Sequence, residues 1–126
     1  MPWDLSVGTD SRFVVLRFVG KVAPGDLRAA LDATITAMQS HGTSACLGDC
    51  SEFEGGHSIV DLYGLVEIIT ARWSGPLKEA VLMPQLAAGQ EDVRFWENAC
   101  DNLGLNVRVF ADRDSAIAWL CDPASD

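Results

Sequence analysis

Short apolar runs of strand character alternate with helix-period stripes along almost the whole sequence, and that alternation narrows the fold to one class. Residues Trp3–Val7 and Arg12–Val19 are rich in β-branched and aromatic types and flank the polar stretch Gly8-Thr9-Asp10-Ser11. This pattern reads as an antiparallel hairpin. Phe13, Val15 and Arg17 fall on one face of the second strand, and Val14, Leu16 and Phe18 on the other. Apolar residues on both faces put that strand inside a sheet, with a neighbour on each side. A helix then starts at Pro24-Gly25-Asp26, with Leu27, Ala30, Leu31, Thr34, Ile35 and Met38 along one stripe. His41-Gly42 ends it, the glycine standing where helices close in the left-handed conformation.

The alternation continues. Ser44–Asp49 reads as a short strand and Cys50–His57 as a polar loop. Ser58 opens a second helix to about Trp73, with Ser58-x-x-Asp61 resembling a capping box, and Gly75-Pro76 stops it. Glu79–Met83 is a core-type strand halted by Pro84, and Gln90–Leu103 a helix ended by Gly104. Asn106–Phe110 is the last strand, and Asp112 caps a final helix, Arg113–Cys121, that buries Ala116, Trp119 and Leu120. The predicted order is β-β-α-β-α-β-α-β-α. Strand–helix–strand alternation means parallel pairing through crossovers. The expected fold is therefore α/β: a five-stranded mixed, mostly parallel sheet with an N-terminal antiparallel hairpin, packed by four helices. Residues 1–126 read as a single domain with a frayed tail from Asp122 to Asp126.

Composition narrows the function classes. Eighteen acids against nine bases give a net charge of −9, which argues against nucleic acid or an anionic membrane as partner. No apolar run reaches membrane-span length: the longest candidate, Ile59–Ile69, is broken by Asp61, Gly64 and Glu67. Met1-Pro2-Trp3-Asp4 carries no signal-peptide pattern. Cys46, Cys50, Cys100 and Cys121 form no Cys-x-x-Cys pair, and His41 and His57 are not spaced as zinc ligands. The cysteines read as apolar fillers in a reducing cytoplasm, and no metal or cofactor is implied.

Ser58 has two readings. It is an ordinary N-cap serine, or a phosphate acceptor at a helix N-terminus, where free backbone donors and the helix dipole favour an anion. Asp49, Ser51, Glu52, Glu54, His57 and Ser58 crowd one loop at a strand's C-terminal end, where open α/β sheets bind ligands. The loop is a solvated acidic turn or a ligand loop. A hydrolytic set drawn from it lacks a Gly-x-Ser-x-Gly elbow. Lys21 and Lys78, the two lysines, flank strands and read as solvated. The second helix is over-supplied with apolar residues. Ile59, Leu62, Tyr63, Val66, Ile69 and Trp73 make a sufficient core face, so Val60, Leu65 and Ile68 are expected to point outward. They form a candidate interface or cover for a lipid-like ligand.

Three sequence blocks carry a family resemblance. The first is Phe18-Val19-Gly20-Lys21-Val22 with Gly25-Asp26-Leu27. The second is Leu47-Gly48-Asp49-Cys50-Ser51-Glu52-Phe53 leading to Gly56-His57-Ser58-Ile59. The third is Phe95-Trp96, Val107-Arg108-Val109-Phe110 and Ala116-x-x-Trp119-Leu120. In this order and spacing the chain resembles the STAS superfamily, in its SpoIIAA-like branch of small bacterial anti-sigma-factor-antagonist-like proteins. The resemblance implies a regulatory protein-interaction module without catalysis. It also implies a phosphorylated serine opening the second helix, a position Ser58 occupies. The motif Asp-Ser-Ser-Gly is replaced here by Gly56-His57-Ser58-Ile59. The expected partner is another protein or a second copy of the chain in a homodimer. Two alternatives stand beside this: a carrier of a small apolar or amphipathic ligand, and a hydrolase using the Asp49–Ser58 loop.

Overall fold

The structure, a computed structural model, describes residues 2–8 and 12–123. Thr9, Asp10 and Ser11 of the expected hairpin turn and Ala124–Asp126 of the expected tail lie outside the described residues. The elements are β1 (Trp3–Val7), β2 (Val14–Gly20), α1 (Pro24–His41), β3 (Ala45–Phe53), α2 (Ile59–Arg72), β4 (Lys78–Leu82), α3 (Ala87–Asn102), β5 (Asn106–Phe110) and α4 (Arg113–Leu120). They form one sheet in the order β1-β2-β3-β4-β5. β1 runs antiparallel to β2, and all other neighbours pair in parallel. The sequence order is thus also the spatial order, and the fold is the expected mixed sheet with four helices.

The helices divide unevenly between the two faces. Leu27 and Ala30 of α1, Leu62 and Leu65 of α2 and Val93 of α3 pack with Leu16, Phe18 and Val81 on one face. Ala116 and Leu120 of α4 pack with Phe13, Val15, Leu47, Ala80 and Leu82 on the other. Burying both faces with apolar side chains is the main stabilising term for such a sheet. The caps follow the sequence signals. Gly42 closes α1 at φ 63°, and the Ser58 and Asp112 side chains accept from the backbone N–H of Asp61 and Ser115.

Three expectations need correction. β3 does not stop at Asp49 but continues to Phe53, so Cys50, Ser51, Glu52 and Phe53 are strand and only the remainder is loop. The reason is a bulge. Arg17 pairs with Asp49 but Val19 pairs with Glu52, so β3 holds one extra residue, and Cys50 and Phe53 both turn into the core. α3 starts at Ala87, earlier than the glutamine-led start expected from sequence. Lys78 is not solvated: it is buried, its Nζ donates to the carbonyls of Leu120 and Asp122, and it lies 4.8 Å from the Trp119 ring centre. A long apolar stem lets a lysine cover core while its head caps a helix C-terminus. Among the described residues no helix is long and apolar enough to cross a membrane.

Candidate functional site

The residues grouped by sequence on one loop are distributed by the structure among three places. Asp49 and Ser51 belong to β3 and face α4. Asp49 Oδ1 accepts from the Ser51 backbone N–H and from its Oγ at 2.6 Å, and Asp49 Oδ2 lies 3.3 Å from Arg113 Nη1 on α4. This carboxylate is buried and occupied by its own neighbours. Glu52 reaches Arg17 on the exposed part of the same face.

His57 points the other way. Its Nδ1 lies 2.7 Å from Asp92 Oδ2 on α3, and its Nε2 lies 2.6 Å from the carbonyl oxygen of Val22. Its backbone N–H donates to the same Asp92 oxygen, and its ring stacks on Phe53 at 5.5 Å and 2°. Both ring nitrogens are therefore engaged by acceptors that serve the fold. The side chains of His57 and Asp92 are only 6% and 7% exposed. Next to this clamp, a Cβ on Gly55 would lie 2.4 Å from the Cα of Gly89, so the loop presses on the first turn of α3 backbone to backbone.

Ser58 stands apart from both groups, exposed at the head of α2, its Oγ accepting the Asp61 N–H at 3.1 Å. A Ser–His–Asp hydrolytic set is not assembled, because the imidazole that would activate Ser58 is committed to Asp92 and Val22. Asp49, Ser51, His57 and Ser58 therefore do not converge on one reacting point.

The outward face of α2 also differs from expectation. Its buried residues are Leu62, Leu65 and Ile69. Leu65 is 9% exposed and belongs to the main core, and Ile68 packs partly buried against a second cluster. Of the proposed interface residues, only Val60 is fully outward, at 80% exposure. Ile59 and Tyr63, expected in the core, are 61% and 53% exposed. The stripe is rotated because apolar residues ring the helix, so periodicity alone fixed no phase. Tethers fix it instead: Arg72 at its C-terminal end binds Asp32, Thr36 and Gln39 of α1. At its N-terminal end Tyr63 meets Phe95 of α3 edge-on at 5.2 Å. The result is an exposed apolar group, Ile59, Val60 and Tyr63, directly after Ser58.

Two functional candidates escape sequence reasoning. Asp92 shares its helical stripe with Gly89, Val93, Trp96 and Cys100, so an acid on an apolar stripe was the available signal. Glu79 lies inside β4 on the inward face, where its Oε1 accepts the Trp96 indole N–H at 2.7 Å. Burial pushes its carboxyl up to about 7, opposed by hydrogen bonds from Trp96 and Cys46. A cavity of about 80 Å³ adjoins it, between β2, β3 and β4 and the three helices α1, α2 and α3. Burial also raises the thiols of Cys46, Cys50 and Cys100, which keeps them protonated and free.

Comparison with known proteins agrees with this architecture. No family model and no curated protein matches the sequence. Among solved structures, an anti-sigma factor antagonist from Mycobacterium paratuberculosis superposes with a TM-score of 0.63 at 17% identity, covering 95% of this chain and 95% of that one. An uncharacterized protein from the DUF3478 family with a SpoIIAA-like fold, from Shewanella loihica, superposes with a TM-score of 0.60 at 18% identity, covering 94% of this chain and 92% of that one. The chain has a SpoIIAA-like fold.

Proposed function

We propose that the chain is a non-enzymatic regulatory module that docks another protein, or a second copy of itself, through the N-terminal turns of α2. The observation that carries this reading is the exposed apolar group Ile59, Val60 and Tyr63 on the helix that Ser58 opens. Apolar side chains on one accessible turn lose their water only against a partner. The likeness in fold to an anti-sigma factor antagonist supports a protein as that partner. Ser58 is placed to regulate the contact. A phosphate on its exposed hydroxyl would sit at the positive end of α2, one residue from Ile59, and would put two negative charges on an apolar docking face. The reading places the protein in the cytoplasm.

The test is native mass spectrometry of the protein purified gently from its own cells, beside Val60→Asp. The wild type is expected to carry a second chain, its own or another, and Val60→Asp to lose it with an unchanged melting temperature. Equal assembly in both forms, or a bare monomer in both, refutes this docking face.

A further inference from the structure

The core beneath α2 is incompletely filled. The cavity of about 80 Å³ is walled by apolar side chains, among them Leu16, Phe18, Leu27, Leu62 and Val81, and by two acids, Glu79 and Asp92. Among the described residues no lysine, arginine or histidine lines it. Asp92 is turned to His57. Glu79 accepts the Trp96 indole N–H on Oε1 and a hydrogen bond from the Cys46 thiol, and its Oε2 lies over Gly48, where an added Cβ would approach to 3.0 Å. The missing side chain in the adjacent strand thus makes room for the carboxyl itself at the cavity wall.

The polarity of this cavity has one sign. A carboxylate in apolar surroundings favours a cation or a strong hydrogen-bond donor and repels an anion. Acids of the fatty-acid type are therefore selected against. The volume sets the size: an apolar cavity of roughly 150 Å³ holds a benzene ring, so this one fits an alkyl body of a few carbons.

We infer that the cavity binds a small primary alkylamine as its ammonium ion, with the alkyl chain against Leu16, Leu62 and Val81 and the ammonium on Glu79 Oε2 beside Gly48. This binding goes beyond protein docking and does not depend on it. The titratable groups facing Glu79 are the Cys46, Cys50 and Cys100 thiols, held protonated by burial, and Asp92 across the cavity. The acid the ligand meets beside Gly48 is then Glu79. Because its carboxyl titrates at about 7, binding strengthens as pH rises through neutrality.

The experiment is a ¹H–¹⁵N NMR titration of the full chain with n-propylammonium chloride at pH 8, with propionate and n-propanol in parallel. Saturable shifts are expected at the Trp96 indole N–H and at the Gly48 and Val81 amides, with none from propionate. Glu79→Gln keeps the size of the side chain and an oxygen for the indole, and is expected to weaken binding at least tenfold. Gly48→Ala keeps the carboxyl, narrows the space and should produce a similar loss. Non-saturating shifts scattered over surface acids overturn the proposal. So do shifts that propionate or propanol reproduces at equal strength, or an affinity unchanged by Glu79→Gln.

Discussion

His57 Nδ1 sits 2.7 Å from Asp92 Oδ2 across 35 positions of sequence, and this buried contact ties the loop before α2 to the first turns of α3. The same oxygen accepts the His57 backbone N–H, and the far ring nitrogen meets the Val22 carbonyl before α1. One histidine thereby joins the entrances of three helices. Removing the acid would leave a buried imidazole N–H and a backbone N–H without acceptors. Asp92→Ala is expected to cost roughly 3 kcal/mol, and Asp92→Asn less, since an amide oxygen still accepts. Urea denaturation measures both; a loss below about 1 kcal/mol for Asp92→Ala would show that the contact does not hold the loop.

The helix α2 separates its buried face from the exposed apolar group Ile59, Val60 and Tyr63 by a single residue step. Leu65→Ala removes a core side chain and is expected to cost about 2–5 kcal/mol. Val60→Asp changes an exposed position and should stay within about 0.5 kcal/mol. The same urea melts decide the phase of the helix. If Leu65→Ala cost no more than Val60→Asp, Leu65 would point outward, as periodicity suggested.

Sequence legibility followed the range of the interactions. The ends of α1, α2 and α4 were readable because Gly42, Ser58 and Asp112 act on backbone within three or four residues of themselves. The mostly parallel pairing was readable from the strand–helix alternation, whereas that α1, α2 and α3 each join neighbouring strands is shown by the structure. The bulge after Asp49 was not readable: Ser51 and Glu52 look like loop, and only pairing with β2 makes them strand. The phase of α2 was hidden by its own apolar excess. The partners of Asp49 and His57 lie 64 and 35 residues away, and no local pattern encodes them. Glu79 and Lys78 were invisible as buried groups because their partners, Trp96 and the end of α4, come later in the chain.

Two adjacent glycines distinguish backbone strain from crowding. Gly55 and Gly56 have φ of 78° and 87°, so alanine is strained at either by about 1–2 kcal/mol. At Gly56 nothing lies within 4 Å of an added Cβ, whereas at Gly55 the backbone of Gly89 does, at 2.4 Å. Gly55→Ala is therefore expected to lower the melting temperature well beyond Gly56→Ala, and to release the His57–Asp92 contact, seen as altered His57 ring resonances. Equal melting temperatures would mean that the loop does not press on α3.

Ser58 stabilises α2 as its N-cap whatever else it does. Ser58→Ala is expected to cost about 1 kcal/mol, while Ser58→Asp, itself a good cap, should cost almost nothing. Thermal melts check this. If Ser58→Asp retains stability but abolishes assembly, the serine position acts on docking and not on folding. Retained assembly with retained stability would remove Ser58 from the regulatory reading.

Glu79 gives the fold a pH dependence of definite sign. Its carboxyl titrates near 4.5 in an unfolded chain and at about 7 when folded, raised by burial. Between those values the folded state holds a proton that the unfolded state has released, so stability falls as pH rises from about 4.5 to about 7 and levels off above. The full effect is at most on the order of a few kcal/mol for a gap of this size, and less because Glu79 is only half-buried. Glu79→Gln removes it while keeping the acceptor for the Trp96 indole. The difference in unfolding free energy between wild type and Glu79→Gln should therefore grow in favour of the variant from pH 5 to pH 8. Parallel curves would show that the carboxyl titrates alike in both states, and that the cavity wall is wetter than its apolar lining implies.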